Sequence, residues 1–435
     1  MLHAPKTMSQ ANESALARVP WGIVLVALAI PLVGIVNLSS ASQATRPNLY
    51  LLQLAYVGVG IVAAAVIARV RTYVLEGLAY PIYAIVNVLL VLVLVAGTTV
   101  KGSQRWLDLG FFNLQPSELA KLSIILVTAR YFGRYRAIGG YTLRMLFMPL
   151  NVSRPLAGLA VLSVGWSKVA EKVGLEELGW LRVVLIVVAL LWLGVSVLVL
   201  VQRGVHHTRL FAPVDVVLLP FLLVLVEPDL GTSLIVLAIA GVQVLFCGVR
   251  KGALLIAALL AVTTAVFAWN FVLHDYQKRR VETFLNPEAD LQGAGYHATQ
   301  SKIAIGSGQL TGKGLGEGTQ TQLSFLPENH TDFVFSVLAE VWGFVGALIL
   351  LILFASLVVL ILLDARQAND RFAALVSVGA AAMIFWHVFI NIGMVTGVLP
   401  VVGVTLPLMS YGGSSVLTQI IAIAFVINMR VWRRG

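Results

Sequence analysis

The chain has 435 residues, of which 59% are hydrophobic and only 11% are charged, and its mean hydropathy is +0.92. A soluble domain carries about 25% charged residues, so this composition excludes an ordinary water-soluble protein. The net charge of +10 does not predict a nucleic-acid partner, because the basic residues stand at the ends of apolar runs, in alternate gaps, as in membrane proteins. The single cysteine, Cys247, excludes a disulfide framework and a thiol metal site.

Ten apolar runs, each about long enough to cross a bilayer, follow one another along the chain. They cover residues 20–40, 50–69, 74–97, 116–132, 210–227, 230–248, 252–274, 333–363, 374–395 and 414–430. Because backbone within lipid must satisfy its own hydrogen bonds, the runs predict an all-α polytopic membrane protein, folded as one transmembrane domain over residues 1–435. Placing the basic gaps inside puts both termini in the cytoplasm and makes residues 275–332 a large extracytoplasmic loop.

The region 135–208 is predicted to be an insertion with its own structure. Residues 181–201 form an eleventh apolar run, and both ends of the region are predicted to lie inside. An extra span therefore needs a partner, for which residues 144–166 are the only candidate. An added helical hairpin is the favoured interpretation, and an element lying along the bilayer surface is the alternative.

The segment QPSELAKL, residues 115–122, is predicted to begin a helix, with Pro116 at the first helical position. Glu118 and Lys121 are three residues apart and share a helix face, and charged residues at that depth are usually functional. Arg105 precedes them in the outer loop. Arg105 and Lys121 could together hold a pyrophosphate, or they could only anchor the chain at the membrane interface.

The large outer loop contains carboxylates and a histidine suited to proton transfer. Asp290, Glu288 and His297 could each deprotonate a hydroxyl group, although Asp290 could equally cap the following helix. The glycine-rich stretch 296–318 has the wrong spacing for a nucleotide-binding loop. We expect its glycines to allow close packing of the backbone against a ligand.

Three further features are predicted to lie at the outer boundary of the membrane. Asp229 stands at a helix start, where it could simply complement the helix dipole. Glu328, His330 and Asp332 could ligate a hard cation, although such spacing often arises by chance. Residues 400–415 bring prolines and glycines to this depth, where irregular backbone must line a cavity or be buried in protein.

At these residues the sequence resembles the SEDS family (shape, elongation, division and sporulation proteins). The resemblance covers nearly all of the chain outside 135–208. It rests on five ordered blocks: GSQRWLDLG with QPSELAK, EPDLGT, FLNPEADLQGAGYHATQSKIAIGSG, GTQTQLSFLPENHTDFVFSVLAE and LPVVGVTLPLMSYGGSS. The blocks QSKIAIGSG and GTQTQLSFLPENHTDF are more similar to the elongation (RodA-type) members than to the division (FtsW-type) members.

The resemblance implies a peptidoglycan glycosyltransferase of the bacterial cytoplasmic (inner) membrane, which uses lipid II as donor and acceptor. It also implies a class B penicillin-binding protein as transpeptidase partner, along with other membrane proteins of the elongation complex. Asp290 falls on the family's essential loop aspartate, the expected general base of an inverting transfer. Arg105, Glu118 and Lys121 fall on a polar cluster, and we add Lys302 and His330 as substrate-binding candidates. A divalent cation (Mg²⁺ or Mn²⁺) could balance the leaving group, and we expect no organic cofactor.

The sequence departs from the family pattern at three positions. Leu291 stands where proline usually follows the aspartate, Glu227 where glutamine usually precedes Pro-Asp-Leu-Gly-Thr, and Val341 where a second acidic residue usually follows Glu340. A lipid flippase or transporter is the main alternative function, because charged residues within the membrane mark substrate paths. A non-catalytic scaffold of the elongation complex is a weaker alternative.

Overall fold

The protein is described by a computed structural model over residues 17–42, 48–100, 103–108, 110, 113–135, 137, 139–147, 213–227, 229–271, 275–286, 294–323, 325 and 328–432. Most of the predicted insertion at 135–208, including its proposed hairpin, lies outside the described residues. The same is true of Glu288, Asp290 and Leu291.

Helices dominate the described chain. In chain order the elements are α1 (Trp21–Ala41), α2 (Leu49–Arg69), α3 (Thr72–Ala96), β1 (Thr98–Val100), β2 (Ser103–Asp108), β3 (Asn113–Leu114), α4 (Pro116–Arg134), α5 (Leu143–Phe147), α6 (Pro213–Val226), α7 (Leu230–Phe246), α8 (Lys251–Phe271), α9 (Asp275–Leu285), α10 (Ala294–Ser307), α11 (Thr319–Gln322), α12 (Val334–Arg366), α13 (Arg371–Thr396) and α14 (Gly413–Val431). Each of the ten predicted apolar runs coincides with one of these helices. Six of them, α1, α2, α3, α12, α13 and α14, are long and apolar enough to cross a membrane. The prediction of an all-α polytopic membrane protein is confirmed.

The loop between α3 and α4 contains a small antiparallel sheet that the sequence did not reveal. Thr98 of β1 lies opposite Trp106 of β2, and Leu107 of β2 lies opposite Leu114 of β3. The chain then passes through Gln115 into α4, where Pro116 occupies the first turn as predicted. This sheet fixes the position of Arg105 relative to the start of α4.

The chain divides into two compact units. The first unit comprises residues 1–75 and 280–435, and the second comprises residues 76–279. In the second unit, α7 packs against both α4 and α6. Val86 and Leu90 of α3 meet Ala120 of α4 and Val224 of α6 in a buried cluster. Within a membrane, such close packing stabilises helix association more than removal of apolar surface from water does.

In the first unit, α12 packs against α1, α10 and α13, and α14 packs against α2. Buried amides hold the irregular backbone between α13 and α14 in place. Asn391 donates to the carbonyls of Asp332 (2.8 Å) and Val404 (2.7 Å), and Gln53 donates to the carbonyl of Ser410 (3.1 Å). Leu406 through Ser410 are buried in protein, which is one of the two environments predicted for irregular backbone in the segment 400–415.

Candidate functional site

Glu118 and Lys121 form an ion pair between the first and second turns of α4. The Lys121 ammonium lies 2.7 Å from Oε1 of Glu118, and the side chains are 1% and 7% exposed. Oε2 of Glu118 is also buried and has no hydrogen-bond donor among the described residues. A buried pair of this kind persists only when both charges are present. Lys121 is thus committed to a protein carboxylate, and its first task is structural.

Arg105 reaches from β2 to the turn between α6 and α7. Its Nε donates to the backbone carbonyl of Glu227 (3.0 Å), and Nη1 lies 3.7 Å from Oδ2 of Asp229. About a quarter of the Arg105 side chain is exposed. Arg105 therefore keeps an accessible face, whereas Lys121 does not. Each of the two cations thus faces a carboxylate of its own, Arg105 facing Asp229 and Lys121 facing Glu118.

Asp229 is the N-cap of α7, as its place in the sequence predicted. Its Oδ1 accepts a hydrogen bond from the backbone N–H of Thr232 (3.1 Å), while Gln115 Nε2 lies 3.4 Å from its Oδ2. The carboxylate thus caps a helix with one oxygen and faces Arg105 with the other. Arg105, Gln115, Glu227 and Asp229 are hereafter called the Arg105 cluster.

Glu227 is the member of this cluster whose environment sequence reasoning missed. Its side chain is 0% exposed, and neither carboxylate oxygen has a hydrogen-bond partner among the described residues. The departure from the family's glutamine at this position was the available signal. The sequence alone could not show that the carboxyl is completely enclosed.

Lys302 and His330 belong to the first unit. Lys302 is exposed on α10, and its aliphatic chain lies directly over Gly397, where a Cβ would clash with it. Its charge thus lies near the carboxyl end of α13, where a cation is favoured. His330 Nδ1 lies 3.1 Å from Oδ1 of Asn329, and its ring centroid is 6.0 Å from that of Tyr411. His330 therefore stands beside an aromatic ring on a well-anchored turn.

The segment that contains His330 does not form a metal site. Oε2 of Glu328 accepts a hydrogen bond from the Thr331 hydroxyl (3.1 Å), and no group of three or more His, Cys, Asp or Glu side chains among the described residues is placed to hold a metal ion. His297, on the first turn of α10, lies with its ring centroid 6.2 Å from that of Phe333. Its relation to Asp290 falls outside the described residues.

Another buried carboxylate, Glu340 of α12, anchors the segment that follows α10. It is 0% exposed and accepts hydrogen bonds from the Lys313 ammonium (2.9 Å), the Gln320 backbone N–H (3.0 Å) and the Thr321 hydroxyl (2.9 Å). A carboxylate bonded this completely tolerates burial. An acidic residue within an apolar run was the sequence signal for such a role.

The glycines of this segment approach the backbone of α12. A Cβ at Gly308 or at Gly312 would clash with a carbonyl group of α12. Gly343, inside α12, has φ 66° and interrupts the helical dihedrals, and the neighbouring Phe344 N–H donates to the carbonyl of Gln309 (2.8 Å). Helix backbone thus occupies the place where we expected a ligand, and the close packing is internal to the protein.

Comparisons with known proteins agree with this architecture. A family profile described as "Cell cycle protein", which covers FtsW, RodA and SpoVE, matches residues 17–200 and 183–435. The peptidoglycan glycosyltransferase MrdB of Escherichia coli K12 is 38% identical over 383 residues, which cover 88% of this chain and 85% of MrdB. A probable peptidoglycan glycosyltransferase FtsW of Trichlorobacter lovleyi is 31% identical over 418 residues, covering 94% and 92% of the two chains.

Two solved structures resemble the fold over almost its whole length. A chain from work on the structural coordination of polymerization and crosslinking by a peptidoglycan synthase complex has a TM-score of 0.67 and 29% identity, covering 95% of this chain and 98% of that one. The rod shape determining protein RodA of Thermus thermophilus has a TM-score of 0.58 and 28% identity, with coverage of 95% and 97%.

Proposed function

The chain belongs to the FtsW/RodA/SpoVE family, and on that premise we propose that it polymerises lipid II into glycan strands as a peptidoglycan glycosyltransferase of the elongation branch. The observation that carries this proposal is the 38% identity to MrdB over 88% of the chain. The division-type relative is similar over as much of the chain but at 31% identity, which favours elongation. The fold agrees, since it resembles that of Thermus thermophilus RodA over 95% of the chain.

The reaction is an inverting glycosyl transfer. The 4-hydroxyl of the acceptor sugar attacks C1 of the donor's muramyl unit, and the bond between C1 and the pyrophosphate oxygen breaks. Asp290 accepts the hydroxyl proton, and undecaprenyl pyrophosphate leaves with the bonding electrons. This assignment rests on the family resemblance of the FLNPEADLQGAG block. The leaving group is already activated and needs no strong general acid.

Arg105 is the cation best placed to meet the donor's pyrophosphate. It combines an accessible guanidinium face with a fixed position, because Nε is held by the Glu227 carbonyl. Fixed positive charge opposite a group that gains charge as a bond breaks stabilises the transition state. Lys121 and Glu118, by contrast, position the start of α4. Lys302 and His330 remain candidates for binding the sugar and peptide portions of the substrate.

A divalent cation is part of the proposal only as charge compensation. No group of three or more His, Cys, Asp or Glu side chains is placed to hold an ion within the described part of the chain, which does not include Glu288 and Asp290. No step of the transfer is assigned to it, and no organic cofactor is needed for this chemistry.

The proposed setting is the bacterial inner membrane, with both termini in the cytoplasm and the sugars meeting at the outer surface. The alternation of basic gaps supports this orientation. The likeness to a chain of a peptidoglycan synthase complex supports a class B penicillin-binding protein as the transpeptidase partner. Other membrane proteins of the elongation complex complete the set of expected partners.

The deciding experiment is polymerisation of purified lipid II by this protein together with its partner, whose transpeptidase nucleophile has been removed. We expect glycan strands to accumulate without crosslinks. Absence of strands with a correctly inserted protein would overturn the assignment. Transbilayer movement of lipid II in proteoliposomes, with no strand formation, would favour the flippase alternative.

A further inference from the structure

Three aromatic rings form a row in the first unit, each on a different segment of the chain. Tyr56 belongs to α2, Tyr411 precedes α14, and His330 precedes α12. The ring centroids of Tyr56 and Tyr411 are 6.3 Å apart, and those of Tyr411 and His330 are 6.0 Å apart. All three residues are half-buried, so each keeps part of its surface accessible. These three residues are hereafter called the aromatic row.

The turn that carries His330 is fixed to the segment that carries Tyr411. The backbone N–H of Tyr411 donates to the carbonyl of His330 (2.9 Å). The hydroxyl of Ser410 donates to the next carbonyl of the turn, that of Thr331 (2.5 Å). Two consecutive carbonyls of the turn thus bond to one segment, so the backbones of His330 and Tyr411 keep a constant relative position.

Asn329 orients the imidazole ring at this end of the row. Its amide nitrogen donates to the carbonyl of Ala41, the last residue of α1 (3.3 Å). The amide oxygen is therefore the atom that faces Nδ1 of His330, at 3.1 Å. Because an amide oxygen only accepts, Nδ1 carries the hydrogen of this bond. The ring is thus held in one orientation on a fixed turn, as a preformed binding site requires.

The other end of the row is seated on a glycine. A Cβ at Gly413, the first residue of α14, would come within 2.8 Å of the Tyr56 ring. The ring therefore lies directly against the backbone at this point. At Gly58, which belongs to the same helix as Tyr56, a Cβ would have open space around it. The close approach is thus particular to the glycine under the row.

The position and the chemistry of the row suit a sugar ring. It lies at the end of the unit where α1 ends and where α2, α12 and α14 begin, which is the outer end in the proposed orientation. A pyranose ring has an apolar face of C–H groups and a rim of hydroxyl groups. Aromatic rings pack against such a face, while tyrosine hydroxyls and an imidazole can bond to the rim. A polyprenyl chain has no group that could use these polar atoms.

We propose that the aromatic row binds a sugar ring of lipid II, with Tyr411 at its centre. The inference rests on the proposed function and names the part of the substrate that this site takes. It adds Tyr56 and Tyr411 to His330 as binding residues, and it makes Gly413 the residue that positions Tyr56. A row that served only to pack the helices together would affect stability and leave the affinity for the sugar unchanged.

The test is the affinity of the purified complex for the soluble disaccharide of lipid II, freed of peptide, pyrophosphate and lipid, measured by saturation-transfer NMR. Tyr411→Leu keeps an apolar side chain but removes the ring, and the Kd should rise by about threefold or more. Tyr411→Phe keeps the ring and should recover most of this loss. Tyr73→Leu, at an exposed tyrosine on the first turn of α3, is the matched control. No binding by the wild type, or equal affinity of Tyr411→Leu and the wild type, would overturn the inference.

A second variant decides the question if Tyr411→Leu fails to insert. Gly413→Ala pushes the Tyr56 ring aside without removing any ring, so the Kd should again rise by about threefold or more. Gly58→Ala should bind like the wild type, and equal affinities of the two glycine variants would contradict the proposal.

Polymerisation of lipid II separates this inference from the proposed function. In Tyr411→Leu the KM for lipid II should rise with the Kd of the disaccharide, while kcat is retained. Binding of the disaccharide without polymerisation by the wild type would contradict only the proposed function. Polymerisation with the same KM in Tyr411→Leu and the wild type would contradict only the inference.

Discussion

Lys121 places its ammonium 2.7 Å from Oε1 of Glu118, one turn earlier on α4, and both side chains are almost wholly removed from water. Removing one partner of such a pair costs about 3–5 kcal/mol, because the other charge is left buried and unpaired. We therefore expect Lys121→Ala to lower the melting temperature in detergent and the yield of inserted protein. Lys251→Ala, at an exposed lysine of the same unit, is the matched control and should melt like the wild type.

The double variant Glu118→Gln with Lys121→Met separates the cost of leaving one charge unpaired from the effect of removing the pair. Because it removes both charges together, we expect it to recover most of the stability that Lys121→Ala loses. A Lys121→Ala protein that melts at the wild-type temperature would show that the pair does not stabilise α4. Activity at either site should be expressed per correctly inserted molecule.

Arg105→Lys tests whether the guanidinium geometry matters for the donor. Lysine keeps the charge but cannot both hold the Glu227 carbonyl through a fixed nitrogen and present a planar fork to a phosphate. We expect kcat/KM for lipid II to fall by about 10- to 100-fold while the melting temperature is retained. Arg279→Lys, at an exposed arginine of the same unit, should be silent. A residue that serves only as an interfacial anchor would tolerate the change to lysine.

Asp290→Asn tests the assignment of the general base. Asparagine keeps the size and hydrogen bonding of the side chain but cannot accept the hydroxyl proton. Strand formation should therefore fall by about 10²- to 10⁴-fold while insertion is unchanged. Glu317→Gln removes an exposed carboxylate from the same segment and should leave the rate unaltered. Near-normal strand formation by Asp290→Asn would favour the helix-capping role instead.

Gly312→Ala tests the contact between the loop after α10 and the backbone of α12. A Cβ at this position would clash with the Val341 carbonyl, and φ is +81°. The substitution should destabilise the protein by about 2 kcal/mol or more and expose residues 308–322 to proteases. Gly306→Ala, where a Cβ has open space around it, should be neutral or slightly stabilising. Equal melting temperatures and cleavage patterns for the two variants would contradict this.

Single cysteines test the orientation in the membrane. In a Cys247→Ser background, an impermeant thiol reagent applied to spheroplasts should label a cysteine at Asn113 and should not label one at Arg71, Arg250 or Gln367. Labelling at Arg250 or Gln367 would reverse or break the proposed topology. Permeabilised cells provide the control that every cysteine is reactive.

The sequence predicted the spanning helices well because each is a long apolar run, and most of the observed ends fall within about three residues of the predicted ones, as expected for helix boundaries. It did not reveal β1–β3, since strands of two to six residues are too short for an alternating pattern to stand out. The sequence identified Glu118, Lys121 and Arg105 as charged residues at the outer boundary of the membrane. It could not show that Lys121 is buried in a pair while Arg105 keeps an exposed face, because partners distant in sequence decide this.

The glycine-rich stretch shows the same limitation. Its composition indicated close backbone packing, which the structure has, but composition cannot identify the packing partner. That partner is α12, an apolar run that begins about twenty residues after Gly312. In the sequence, Glu340 served only to mark the position of Val341, the residue that follows it. The hydrogen bonds of Glu340 to Lys313, Gln320 and Thr321 depend on the fold.

The break at Gly343 divides α12 into two parts with different constraints on their length. Residues 344–366 are about 35 Å long at the usual helical rise, which already matches the thickness of a bilayer core. The turns before Gly343 are not needed to cross the bilayer. They carry Glu340, and the contact of Glu340 with Lys313 ties them to the loop after α10. A one-residue deletion at Leu362 or Leu363 lies beyond the large buried side chains of α12, so it mainly alters hydrophobic matching, which lipids absorb by small changes in tilt or thickness. A one-residue deletion between Glu340 and Gly343 instead rotates Glu340 by about 100° and removes it from Lys313, with no lipid adjustment to compensate.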